Sequence, residues 1–221
     1  MRYVKTCQCV WCGKTEPEVS FRAAPHIIPH NLGSDDIGFD VCDDCNHYFG
    51  KATRGVPSCD LAFKEIFNAF WIFGHNLDEN THKKFSSVFF NYYHSKRTIK
   101  IKSNSRVITR QFKRSLYEVF LQKYHQVTEN GNHPMFEMVR QFARYNIGNP
   151  HVFYVFNNII LCPGEDQRLE LPMNENVIDE MMKSGLYRFW MGNQLFYIEV
   201  LPIVFKVNGY SFLREETKTM L

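Results

Sequence analysis

The chain has 221 residues, 44% of them hydrophobic, and a formal net charge of +3. This composition supports a packed core and argues against global disorder; so mild a charge permits nucleic-acid binding without arguing for it. Seven cysteines, four in two Cys-x-x-Cys pairs with Cys7, Cys59 and Cys162 left over, favour metal thiolates in a reducing compartment over a disulfide scaffold.

The N-terminus, Met1 to Cys7, has no apolar core of signal-peptide length, and no run approaches the length of a membrane span. A cytoplasmic protein that does not enter the membrane is expected. Residues 1–58 are rich in Cys, Gly, Pro and Asp and lack a long amphipathic period, so a metal must replace the missing core. From Leu61 the character changes. Leu61 to Trp71 is apolar at helical spacing, and Gln111 to Tyr124 predicts a helix with Phe112, Leu116, Val119, Phe120 and Tyr124 on one stripe. His133-Pro134 opens another helix that ends near Asn146 to Gly148. The C-terminal third reads as strands: Val152 to Leu161, then Leu186 to Met191 and Gln194 to Val200 flanking Gly192-Asn193, a hairpin signal. Pro202 reads as an edge or bend, and Thr98 to Lys102 alternates like a strand. The fold class expected is α+β: a small zinc module over 1–58, followed by a larger mixed α+β domain over 59–221.

The chemistry concentrates in the first 58 residues. Cys9-Val-Trp-Cys12 and Cys42-Asp-Asp-Cys45 can together supply four thiolates to a tetrahedral zinc ion. Between them lies His26-Ile-Ile-Pro29, and Asn46 follows the last cysteine. Phosphodiester hydrolysis needs a water deprotonated and aimed in line, and a cation to stabilise charge on the phosphate. A histidine is suited to the first task, and an asparagine amide oxygen can serve a hard cation. Asn46 also suits an N-cap.

The order Cys9, Cys12, His26 to Pro29, Leu32-Gly33, Cys42, Cys45, Asn46 and Phe49-Gly50 resembles the HNH (His-Asn-His) endonucleases, in particular those with two zinc knuckles. The likeness covers about a quarter of the chain. It implies a ββα-metal fold with structural Zn2+ on the four cysteines and a catalytic Mg2+ or Mn2+. His26 would be the general base and Asn46 a ligand of the catalytic cation. The family commonly places an acidic residue or histidine just before the general base, where this chain has Pro25. Substitutes are His47, Asp40, Asp43, Glu18 or His30; of these His47 adjoins Asn46, although neighbours on a helix point about 100° apart. Asp35 or Asp36 stands near the place of the family's central asparagine. The activity implied is DNA cleavage in a phage, mobile-element or anti-phage defence setting, with a partner protein or regulatory subunit, or a homodimer, as further expectations. The other reading is an inactive zinc module that binds nucleic acid or a protein.

His30, Lys51 and Arg54 are candidate phosphate contacts, against a turn for His30 and solvated linker charge for the other two. The densest basic stretch, Lys96 to Lys102 with Arg106, Arg110, Lys113 and Arg114, suits either a phosphate backbone or a solvated face.

Overall fold

The structure, a computed structural model, describes residues 2–29, 32, 34–74, 87–93, 96, 98–102, 105–156, 169–191 and 194–220. Its N-terminal part consists of two short hairpins and a helix. Gln8 bridges Thr15 around the first cysteine pair, and His26 bridges Ile37 in the second hairpin. There Ile27 N donates to Asp36 O at 3.0 Å and Gly38 N to Pro25 O at 2.7 Å. Helix α1, Asp43–Gly50, starts directly after Cys42, its N-cap residue. Asp43 and Asp44 occupy its first turn, where the helix dipole favours negative charge. Cys45 and Phe49 form its buried face, and Phe49 meets Trp11 edge-on with centroids 4.8 Å apart.

Helix α2, Cys59–Gly74, begins where Ser58 Oγ accepts from Leu61 N at 3.1 Å, a Ser cap of the usual kind. Strands β1, Phe90–Tyr93, and β2, Thr98–Ile101, pair antiparallel. Helix α3, Ser105–Thr128, is the spine of the molecule. Its predicted stripe, Phe112 to Tyr124, is buried. Phe112 packs on Phe63 of α2, while Phe120 and Tyr124 pack on Phe136. Phe136 closes the 3-10 turn Pro134–Phe136, which leads into α4, Glu137–Tyr145. His133 accepts from Met135 N as the cap of that turn, and Asn146 ends α4 in the left-handed conformation at φ +61.

The second sheet has the order β3-β5-β4, all antiparallel, with β3 at Val152–Phe156, β4 at Leu186–Met191 and β5 at Gln194–Glu199. The expected β4–β5 hairpin is present in register, with Phe189 opposite Phe196. Its turn residues, 192 and 193, lie outside the described residues, as do 157–161 of the expected strand after Val152. The central strand β5 is covered on both faces, as its nearly unbroken apolar run requires. Phe196 faces α3 through Phe112. Leu195 and Tyr197 pack with Phe205, Phe212 and Leu213 of the C-terminal helical segment.

That segment and helix α5, Glu175–Ser184, depart from the expectation of strands. Pro202 does not bend a strand; it opens helix α6, Pro202–Val204, continued by a π turn, Phe205–Gly209, and helix α7, Tyr210–Met220. Proline fits a first helical position because its missing N–H has no partner there anyway. Between α5 and β4, Gly185 sits at φ +76, and a Cβ there would meet Phe205 N at 2.5 Å and Leu201 O at 2.6 Å. The molecule is thus mixed helix and strand. Most of its buried apolar residues join in one cluster that runs from Cys9 to Leu201 and includes both the cysteine-bearing segment and the helices and sheet after it, while Leu186, Leu195, Tyr197 and Phe205 form a second, smaller one.

Candidate functional site

Cys9, Cys12, Cys42 and Cys45 converge, with their sulfur atoms all within 4.8 Å of one another. Cys12 Sγ and Cys42 Sγ lie 3.8 Å apart, which is about the edge of a tetrahedron with Zn–S bonds of ~2.3 Å. The first pair sits in a tight turn, where Gly13 N donates to Cys9 O at 2.8 Å and Gly13 takes φ +71. The second pair straddles the start of α1, and Cys42 N donates to Cys9 Sγ at 3.4 Å. The cluster can hold a zinc ion. Without one, hydrogen bonding to Cys42 pushes the Cys9 thiol up to about 12, and the Cys45 thiol is pushed up as well. Hydrogen bonds from Cys45 and Cys9 pull Cys42 down to about 2. The bare cluster therefore favours the thiolate at Cys42, and a metal has to displace protons from Cys9 and Cys45.

Arg144 of α4 lies against this centre. Its Nε donates to Cys45 Sγ at 3.4 Å, and its guanidinium stacks 3.8 Å from the Tyr48 ring centroid. Tyr48 OH in turn accepts from buried Arg114 at 2.6 Å. Sequence reasoning missed this role, although a cation in the last turn of a helix was visible.

The hairpin bearing His26 packs beside α1. Asn46 Nδ2 donates to Ala24 O at 3.4 Å, so the amide nitrogen is turned to the hairpin and the oxygen is left for another partner. Asn46 is not the helix cap, a role taken by Cys42, but lies in the body of α1. His26 is half-buried and His47 exposed. Lys51 and Arg54 are exposed, and Arg54 stands in a turn closed by Thr53 and Val56. His30 lies outside the described residues.

The carboxylates considered as replacements at the Pro25 position are used elsewhere. Asp40 accepts from the backbone of Lys5, Thr6 and Cys7 and from His125. Asp43 accepts from Ser20 Oγ, Arg22 N and Ala23 N at 2.5 to 2.9 Å. Asp36, expected near the place of the family's central asparagine and not at Pro25, is occupied too, accepting from Lys123 Nζ and Gln126 Nε2. Glu18 is exposed and pairs with Lys14 at 3.6 Å. Among the described residues, the cysteines are the group of three or more His, Cys, Asp or Glu side chains close enough to share an ion.

No family model, no curated protein and no solved structure matches the chain. Among the described residues no helix is long and apolar enough to cross a membrane.

Proposed function

We propose that the chain is a metal-dependent endonuclease that cuts DNA phosphodiester bonds, with His26 as general base. The supporting observation is a hairpin bearing His26 followed by a helix bearing Asn46, the two linked by the Asn46 to Ala24 hydrogen bond beside a four-cysteine cluster. A general base must be held rigidly, since a misplacement of about 1 Å can cost ~100-fold in rate. The cross-hairpin bonds at Ile27 and Gly38 supply that rigidity on both sides of His26. In this reading His26 takes the proton of the attacking water, and exposed Lys51 and Arg54 contact phosphates. The Asn46 amide oxygen would hold a Mg2+ or Mn2+ ion, which would supply charge stabilisation at the phosphate. A homodimer would be a natural route to a double-strand break, and the defence or mobile-element setting rests on the resemblance alone.

One observation favours a second reading. Pro25 offers no ligand, and Asp40 and Asp43 are committed to backbone and side-chain donors, so the module would bind DNA or a protein without cutting. Incubating supercoiled plasmid with protein and Mg2+ or Mn2+ separates the two. The nuclease reading expects metal-dependent nicking, reduced about 100-fold or more in His26→Ala at unchanged zinc content. Absence of nicking by the wild-type chain under all these conditions would sink it in favour of the binding module.

A further inference from the structure

Between Glu79 and Glu118 the chain has no acidic residue and ten of its 26 lysines and arginines. The net charge of +3 therefore divides into +10 in this stretch and −7 in the rest of the sequence. A segment so one-sided carries a local field that the mild total conceals.

The structure separates these cations by use. Arg110, Lys113 and Arg114 are turned to the C-terminal end of α4, and Arg106 has a partner too. Lys83, Lys84 and Arg97 lie outside the described residues. Lys96, Lys100 and Lys102 remain on the β1–β2 ribbon, all three exposed and none paired with a carboxylate among the described residues. Lys100 Nζ lies 5.5 Å from the Tyr93 ring centroid, and Lys102 Nζ donates to Ser87 O at 2.6 Å. Each contact leaves ammonium protons to spare.

The ribbon has one covered face. Phe90 is buried, and Tyr92 and Ile99 pack against the main core. Strand alternation sends Asn91, Tyr93, Thr98 and Lys100 the other way. Asn91 stands opposite Lys100 and Tyr93 opposite Thr98, and all four are exposed. This outer face is polar, cationic and free of carboxylates. Lysines that merely guard a strand edge give no reason for the absence of acidic residues over so long a stretch.

We propose that the outer face of the ribbon is an arm that holds duplex DNA, with Lys96, Lys100 and Lys102 on phosphates. A two-stranded ribbon fits the major groove, which is about 12 Å wide, and lysine contacts with phosphates release counterions. The amide of Asn91, beside Lys100, is the group placed to meet base edges. The inference rests on DNA as the ligand, which the nuclease and an inactive DNA-binding module share, and not on cleavage by His26.

The test is fluorescence anisotropy of a short labelled duplex with protein supplied with zinc, without Mg2+ or Mn2+, over a range of NaCl concentrations. Lys100→Gln is expected to weaken binding roughly five- to tenfold at about 0.1 M salt and to reduce the slope of log K against log salt by about 0.9. Lys96→Gln should add a similar loss, and Lys100→Arg should restore the slope. Lys206→Gln, at an exposed lysine outside the stretch, should change neither. Urea midpoints equal to that of the wild type show that the variants are folded. The proposal is overturned by absence of binding, by binding confined to a single-stranded probe, or by a salt slope untouched in Lys96→Gln and Lys100→Gln. Plasmid nicking by a chain with an untouched slope leaves the nuclease without the arm. Ribbon-dependent binding without nicking keeps the arm and removes the nuclease.

Discussion

Asp40 carries more of the N-terminal geometry than any single cysteine. It is fully buried and sits at φ +56, a conformation that aspartate tolerates better than most residues. Its carboxylate accepts from Thr6 N at 2.8 Å, Cys7 N at 2.9 Å and His125 Nε2 at 2.9 Å. His125 Nδ1 accepts from Gly131 N at 3.0 Å, which puts the ring proton on Nε2 and fixes the direction of the bond to Asp40. Burial opposes ionisation of Asp40, but hydrogen bonds from Thr6, His125 and Lys5 outweigh it and hold the carboxyl below its usual range. The folded state thus prefers the carboxylate more than the unfolded state does. That stabilisation is complete above the ordinary carboxyl pKa of about 4 and fades as pH falls through the lower folded value. Asp40→Asn should cost about 2–4 kcal/mol at pH 7, measured by urea unfolding, and less at pH 3. An equal cost at both pH values would show that the charge is irrelevant. The sequence offered Asp40 as one of several substitutes for the cation ligand missing at Pro25. Its actual partners lie 33 to 85 positions away, a pairing that no local pattern encodes.

At the scale of elements, the basic stretch before and along α3 divides into two kinds of residue. Lys100 and Lys102 are exposed on and just after β2. Arg110, Lys113 and Arg114 instead reach the C-terminal end of α4. Arg110 donates to Asn146 and Gly148, Lys113 to Asn149, and Arg114 to Ala143 O through both Nε and Nη2. Cations belong at that end of a helix, where carbonyls lack partners and the dipole is negative. Arg114 also joins α1 through Tyr48, so one guanidinium ties three helices. Arg114→Met should destabilise the fold by about 3 kcal/mol by leaving carbonyl and phenol groups unpaired. Arg114→Lys should recover little of it, because an ammonium cannot reproduce the planar fork. Urea midpoints of the two variants check this, and near-complete rescue by lysine would refute it. The helices α2, α3 and α4 were legible because their apolar stripes are long and regular. Helix α5 was not, since it buries little beyond Met181 and Ser184, although its Asn174 cap and Gly185 stop were in plain view. The C-terminal helices were obscured by Pro202, which marks a strand break and a helix start alike.

For the whole molecule, the sequence suggested two units meeting near residue 58, and composition does change there. The contacts run across that point. Lys123, His125 and Gln126 of α3 bind Asp36, Asp40 and the Ile37 carbonyl of the hairpin region. Cys45 is held by Arg144, and Trp11 and Phe49 belong to the same buried cluster as Phe120 and Ile198. The buried side chains of the first segment, among them Trp11, Phe21 and Phe49, pack into that shared cluster, so its stability draws on α3 and α4. If zinc fills the cysteine cluster, its binding energy is then coupled to the whole core and not to the first segment alone. Zinc-loaded protein should unfold in one calorimetric transition, with equal van't Hoff and calorimetric enthalpies. Free zinc at about 100 times its dissociation constant should add ~2.7 kcal/mol. At a fixed free zinc concentration, raising the pH should enlarge the gain, because the metal displaces protons from thiols whose pKa is raised at Cys9 and Cys45. After chelation, hydrogen exchange should quicken in α1 and also in the C-terminal half of α3, whose side chains hold the hairpin. Two separate transitions, or a zinc effect confined to the first 58 residues, would mean that the contacts across α3 are too weak to couple the metal centre to the rest of the fold.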